Sequence, residues 1–308
     1  MGELRPARPT AIILLVQAAV LIGLAGRYGY HRDELYFLAC GRRPAWGYPD
    51  QPPLTPMLAR LGDWLAPHSL TAFRLPAVLI ALWVTLLAAA IAGELGGGRF
   101  AQGLAALAVG SGTLTLVSGH LLATSTADLG VWVAVTWLIT VILRTGRQGL
   151  WLAVGAVLGI GLLNKQLPVF LMFALLVGML LTSTARPALR TPWPYLGGLV
   201  AAVGWAPVLL WQARHAWPQL TLAGQIHDEY GQLGARIGAA ALQVVLFSIG
   251  ATALWALGLW WLFRDPRWRR YRPLAWAWPV LMMASVWVCD QPVGGWTAAW
   301  PRLMHLSA

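Results

Sequence analysis

The sequence predicts an all-α membrane protein: a bundle of about nine transmembrane helices with interfacial helices in one outer loop. Three observations lead there. Hydrophobic residues make up 58% of the 308 and charged residues 11%, whereas a soluble domain carries roughly 25% charged residues. Apolar runs recur along the whole chain at about the ~20 residues that a helix needs to cross the hydrocarbon core. The basic residues gather in alternate connections, as they do where short loops stay on the cytoplasmic side.

The first run, residues 9–26, follows Arg5 and Arg8 and has the outline of a signal peptide. It is longer than a usual signal core and no small-x-small cleavage site precedes Arg27, so a retained first helix is expected. Residues 75–93, 101–119, 166–185 and 237–263 are further long runs, and 129–143, 149–164, 194–211 and 273–289 are shorter ones. Residues 1–290 then form one transmembrane domain, and 291–308 a short C-terminal tail. A cytoplasmic N-terminus puts Arg99, Arg144, Arg147, Arg186, Arg190, Arg264, Arg267, Arg269, Arg270 and Arg272 inside. It leaves only Glu3, Glu94 and Asp265 of the 11 acids on that face. The formal charge of +11 is therefore topological, and its dispersal between apolar runs excludes a nucleic-acid partner.

Two connections are long, 27–74 and 212–236, and both fall on the predicted outer side, where loops can carry variable chemistry above a rigid scaffold. In the first, residues 33–40 read as a short interfacial helix with Leu35, Leu38 and Ala39 apolar and Tyr36 and Phe37 suited to headgroups. Pro52-Pro53 stops any helix there. Residues 54–65 then alternate at helical spacing, so the loop is expected to be a lid of two helices. It also holds six arginines (27, 32, 42, 43, 60 and 74), more than topology explains on an outer face. An anion such as phosphate, which matches the guanidinium fork, is their expected ligand. Most of the 19 tryptophans read as interfacial anchors, with Trp46 or Trp217 available to stack on a sugar ring.

Acids near lipid are costly and so are the place to look for chemistry. Asp33 and Glu34 are adjacent, about 100° apart on a helix, and cannot share one substrate as a glycosidase pair does. Asp33 is the candidate general base, removing a proton from an acceptor hydroxyl, with Glu34 its support; the alternative is a helix-capping acid with an exposed neighbour. Asp128 lies about one turn inside the outer end of its crossing, and Lys165, the chain's single lysine, stands with Asn164 at the same level. The two make either a salt bridge or a site in which Lys165 neutralises a departing lipid phosphate. His215, His227, Asp228 and Glu229 in the second loop, with Asp50, are candidate ligands of a divalent metal, although no compact ligand spacing is present. Cys40 and Cys289 both fall on the outer side, where a disulfide is permitted. No Walker loop, dinucleotide fingerprint or nucleophile elbow occurs, so a lipid-carried donor suits the chain better than a soluble nucleotide sugar.

Arg32-Asp33-Glu34-Leu35-Tyr36 followed by Ala45-Trp46-Gly47-Tyr48-Pro49-Asp50-Gln51-Pro52-Pro53-Leu54 resembles the first outer loop of the family 39-type polytopic glycosyltransferases of the GT-C fold. That family includes protein O-mannosyltransferases and bacterial aminoarabinose transferases of lipid A. Gly161-Leu162-Leu163-Asn164-Lys165 and Arg214-His215-Ala216-Trp217-Pro218 are similar to its bacterial members. The resemblance implies an inverting transfer of a sugar from a polyprenyl-phosphate carrier to a lipid, glycan or protein acceptor. It places the enzyme in the plasma (inner) membrane with its site on the outer, periplasmic face. It maps the family's essential first-loop acid onto Asp33, its neighbour onto Glu34 and a second acid onto Asp128. It leaves Arg32, Tyr36, Asp50, Gln51, Lys165 and His215 as candidates for holding the substrate or its phosphate. Gln51 departs from aminoarabinose transferases, which have a lysine there. The short tail also departs, since relatives continue through further crossings. A lipid-linked sugar flippase and an inactive truncated member are the alternative readings.

Overall fold

The computed structural model describes residues 6–230 and 252–288, and these are helical throughout, with no strand among them. The first half of the expected 237–263 crossing, Glu3 and Arg5, Cys289 and the tail 291–308 lie outside the described residues.

The chain enters the bundle through α1 (Arg8–Ala25), whose first turn takes Pro9, where a proline costs no hydrogen bond. Large aliphatic side chains such as Leu15 and Val16 are exposed along it, as a lipid-facing helix requires. The first long connection folds as expected into α2 (Arg32–Arg42) and α3 (Leu54–Leu65). Between them Tyr48 ties the loop: its hydroxyl donates to the Cys40 carbonyl at 2.9 Å and its N–H donates to the Gln51 carbonyl at 2.8 Å. Gly41 lets α2 come down on the Pro56 carbonyl of α3, and Gly62 lets α3 come down on Phe73 of the next helix; an added Cβ would stand 2.5 and 2.7 Å away.

That helix, α4 (Leu70–Glu94), starts at a serine cap in which Ser69 Oγ accepts from the Ala72 N–H at 3.3 Å. Residues 101–119 do not form the single straight crossing expected. They divide into α5 (Arg99–Gly110) and α6 (Thr113–His120), bent by 61° at Ser111-Gly112. The physical reason is part local and part tertiary: Gly110 and Gly112 flank the break, and the buried Gln17 amide of α1 donates to the freed Gly110 carbonyl at 3.4 Å.

At the centre stands α7 (Thr124–Thr145), 72% buried over its apolar window. Against it pack α4, α8 (Leu150–Leu162) and, less closely, α9 (Pro168–Leu181), while α10 (Trp193–Arg214) packs on α8; Val135, Ile139, Trp151, Leu175 and Met179 stand in the main core. The α8–α10 contact rests on glycine, with Gly155 facing Gly197 and Gly159 facing Gly204, the small-residue packing that replaces the hydrophobic effect between membrane helices. The second outer loop is itself helical, α11 (Pro218–Tyr230), and α12 (Thr252–Arg264) and α13 (Arg272–Val288) follow. Among the described residues four helices are long and apolar enough to span a membrane, or five if α5 and α6 make one broken span. The shorter apolar helices α8 and α9 fall where two more crossings were expected.

Residues assigned to one side by charge collect at one end of the bundle. Glu94 pairs with Arg144 and its carbonyl accepts from the Tyr271 hydroxyl at 3.4 Å, all at the end away from the first loop.

Candidate functional site

The site grows from the start of α2. His31 caps the helix: its Nδ1 accepts from the Asp33 N–H at 3.3 Å, while Glu34 Oε2 accepts from the His31 N–H at 2.9 Å. This capping box separates the two adjacent acids. Glu34 turns inward and is fully buried; Asp33 turns outward, with 41% of its side chain exposed, and accepts from Arg32 Nε at 3.1 Å.

Glu34 meets Arg74, also fully buried, on α4. The guanidinium donates to both carboxylate oxygens, Nε to Oε1 at 2.9 Å and Nη2 to Oε2 at 2.7 Å. Its remaining hydrogens go to the carbonyls of Ala25 (2.7 Å), Gly29 (2.9 Å) and Tyr28 (3.4 Å), and Glu34 Oε1 also accepts from the Leu122 N–H at 3.1 Å. Burial alone would raise the Glu34 carboxyl, but the Arg74 hydrogen bonds and the two N–H groups outweigh it and hold it below its ordinary value. One ion pair thus joins the end of α1, α2, α4 and the segment before α7. Its charge is satisfied within the protein, leaving Asp33 as the carboxylate that faces outward.

One turn further along α2, the Tyr36 hydroxyl donates to Asp50 Oδ1 at 2.6 Å. Burial pushes the Asp50 carboxyl above the usual range and the nearby Asp33 charge adds to this, against the lowering effect of the Tyr36 hydrogen bond. Burial, then the Asp50 charge, keeps the Tyr36 phenol protonated, and burial pushes the neighbouring Cys40 thiol up to about 11. Gln51 follows at 6% exposure, its amide nitrogen buried without a hydrogen-bond partner.

The other wall comes from α7 and the end of α8. Asn164, fully buried, accepts at Oδ1 from the Thr55 hydroxyl of α3 at 2.6 Å and donates from Nδ2 to the Thr124 carbonyl at 2.7 Å. The Leu54 N–H donates to the Leu163 carbonyl at 2.8 Å beside it. Asp128 lies inside α7 rather than in a loop, 9% exposed, with Oδ1 unpartnered. Lys165 follows Asn164 just past the end of α8. Asp128 and Lys165 make no contact ion pair, so the salt-bridge reading of this pair does not describe the structure.

The end of α10 and the start of α11 close on the first long connection. Gly47 lies against the Trp211 ring, where a Cβ would stand 2.6 Å away, and the Tyr48 carbonyl accepts from the amides of Gln212 (3.4 Å) and Gln219 (3.3 Å). His215 is exposed and stacks on Trp211, centroids 4.0 Å apart, with Nδ1 at 2.7 Å from the Trp211 carbonyl. Ala216 and Trp217 turn the chain between α10 and α11 in the left-handed region, φ 60° and 57°, a conformation that costs energy in residues with a Cβ. Among the described residues no three His, Cys, Asp or Glu side chains are grouped to hold a metal. The expected ligand set of Asp50 and His215 with His227, Asp228 and Glu229 cannot be assembled from them, because the last three side chains lie outside the described residues, as does Cys289.

The model of the dolichyl-phosphate-mannose-protein mannosyltransferase family matches residues 50–211. The chain belongs to this family. The matched stretch of the mannosyltransferase family runs from Asp50 to Trp211 and contains Arg74, Asp128, Asn164 and Lys165, while Asp33 and Glu34 precede it. The structure is similar to the crystal structure of ArnT from Cupriavidus metallidurans in the apo state, with 19% identity and a TM-score of 0.56 over 90% of this chain. The likeness gives this mannosyltransferase-family chain the GT-C fold of a multi-pass membrane protein. The chain spans 58% of the length of that protein. No curated protein matches it.

Of the residues singled out in the sequence, the structure brings Asp33, Glu34, Tyr36 and Asp50 together on and beside α2, with Gln51 next to Asp50, and it places Asp128 inside α7 and Lys165 just past the end of α8. His215 stands apart on Trp211. Sequence reasoning counted Arg74 among the loop arginines and missed its pairing. The available signal was a charge one turn inside an otherwise apolar helix. Thr55 and the carbonyl of Thr124 carried no signal, since they matter only through Asn164.

Proposed function

We propose that the protein is a membrane glycosyltransferase that moves a sugar from a polyprenyl-phosphate donor to a hydroxyl of a lipid, glycan or protein acceptor, with inversion. The observation that carries this reading is the division of labour between the adjacent acids, Glu34 consumed by Arg74 and Asp33 left facing outward. The family's name, dolichyl-phosphate-mannose-protein mannosyltransferase, speaks for the donor class.

In this mechanism the acceptor oxygen attacks the anomeric carbon from the face opposite the phosphate. Asp33 takes the hydroxyl proton as the new C–O bond forms. The bond from the anomeric carbon to the phosphate oxygen breaks, and its electron pair leaves with the lipid phosphate. A phosphate is already a good leaving group, so cationic stabilisation suffices; Lys165 supplies it, with Arg32 near Asp33. Asp128, not spent on an ion pair with Lys165, keeps its carboxylate for the substrate, and Asp50 with Tyr36 and Gln51 contacts the donor head. His215 lies at the rim, for the acceptor. The site faces the outside of the plasma membrane, as the arginine-rich connections from Arg99 to Arg190 at the other end support.

Asp33→Asn tests the reading. Transfer from radiolabelled polyprenyl-phosphate sugar by the purified chain should fall about 100-fold or more, the scale of a lost general base, with donor binding changed by less than about twofold. Undiminished transfer would move the base elsewhere; movement of the donor across vesicles, retained in the variant and without product, would make the protein a flippase.

A further inference from the structure

We propose that Asn164 and Thr55 are positioning residues for phosphate recognition, acting through Lys165. This rests on the reading of Lys165 as the cation that holds the lipid phosphate.

Asn164 is the residue before Lys165, at the end of α8, where both backbone N–H groups turn back onto the Gly161 carbonyl at 2.9 Å. Its side chain is fully buried yet polar at both ends, joined to Thr55 on the lid helix α3 and to the Thr124 carbonyl at the start of α7. Apolar packing would hold these three elements together but would tolerate sliding. Directional bonds from one planar amide fix their spacing and angle. Three groups hang from this clamp. Lys165 is one residue away, Asp128 is four residues or about one helical turn from Thr124, and Gln51 is four residues before Thr55 across the stiff Pro52-Pro53 pair. Two of these present buried atoms without partners, Gln51 Nε2 and Asp128 Oδ1, and Lys165 makes no ion pair among the described residues. The clamp therefore holds the segments that carry an unspent donor, an acceptor and a cation without using those groups itself, as preorganised supporting groups do.

The test is a double-mutant cycle on equilibrium binding of radiolabelled undecaprenyl phosphate to the full chain in detergent, with thermal unfolding measured on each variant. Lys165→Ala should weaken binding about tenfold, Thr55→Val about threefold to tenfold and Thr55→Ser less than about twofold, as expected for loss or retention of one buried hydrogen bond. Thr55→Val combined with Lys165→Ala should bind within about twofold of Lys165→Ala alone, because the clamp acts only through the lysine. Full additivity, or unchanged binding in a folded Thr55→Val protein, overturns the positioning role while leaving Lys165 in place. Unchanged binding in Lys165→Ala overturns the phosphate reading itself and the inference with it. Thr55→Ala replaces the valine variant if that fails to fold.

Discussion

Asp33 and Glu34 are neighbours in sequence and opposites in environment, because a helix turns successive side chains by about 100°. That divergence is legible from the two residues alone, and so is the exclusion of a shared-substrate pair. The partner of Glu34 is not, because Arg74 lies 40 residues away and reads in sequence as one more interfacial arginine. Removing one member of a buried pair strands the other, so Arg74→Ala should destabilise the protein by about 3–5 kcal/mol, seen as a lowered unfolding temperature in detergent. The acid side follows in sign. The Glu34 carboxyl is held below its ordinary 4.5, so its stabilisation is complete above that value and is lost as pH falls through the lower folded value. Acidification should therefore lower the unfolding temperature of the wild type more steeply than that of Glu34→Gln.

At the scale of elements, α2 and α3 were readable from apolar spacing and the Pro52-Pro53 stop, and both appear where expected. The α5–α6 bend was overlooked, though Gly110-Ser111-Gly112 inside an apolar run is a place where a helix can break. Its direction needed Gln17 on another helix. The glycines of α8 and α10 show why composition does not identify which contacts are tight. A Cβ on Gly155 would stand 2.1 Å from the Gly197 carbonyl oxygen, whereas one on Gly159 would meet ordinary contacts from 3.4 Å outward. Gly155→Ala should thus cost about 1–3 kcal/mol of stability by overpacking, and Gly159→Ala almost none. Thermal unfolding of the two purified variants side by side distinguishes them.

Across the whole molecule, the arginine distribution assigns sides and the structure gathers the assigned groups at two ends. The proposed orientation can be checked by labelling single cysteines in a Cys40→Ser, Cys289→Ser background. Tyr28→Cys, 64% exposed in the native residue, should react with a membrane-impermeant maleimide on intact cells, and Arg147→Cys only after permeabilisation. The reverse pattern would place the acid-rich end inside. By itself the sequence determined the all-α membrane architecture, the two-helix lid and the acids worth attention, because hydropathy, helical period and charge cost are local properties that a single chain displays residue by residue. Only the tertiary structure decided which acid is spent on Arg74, that Gln17 of α1 meets the carbonyl freed at the break, and that Asn164 ties α3 to the start of α7. Those outcomes depend on hydrogen-bond partners distant along the chain, up to 109 residues for Thr55 and Asn164, and no local pattern encodes which buried polar group will satisfy which other.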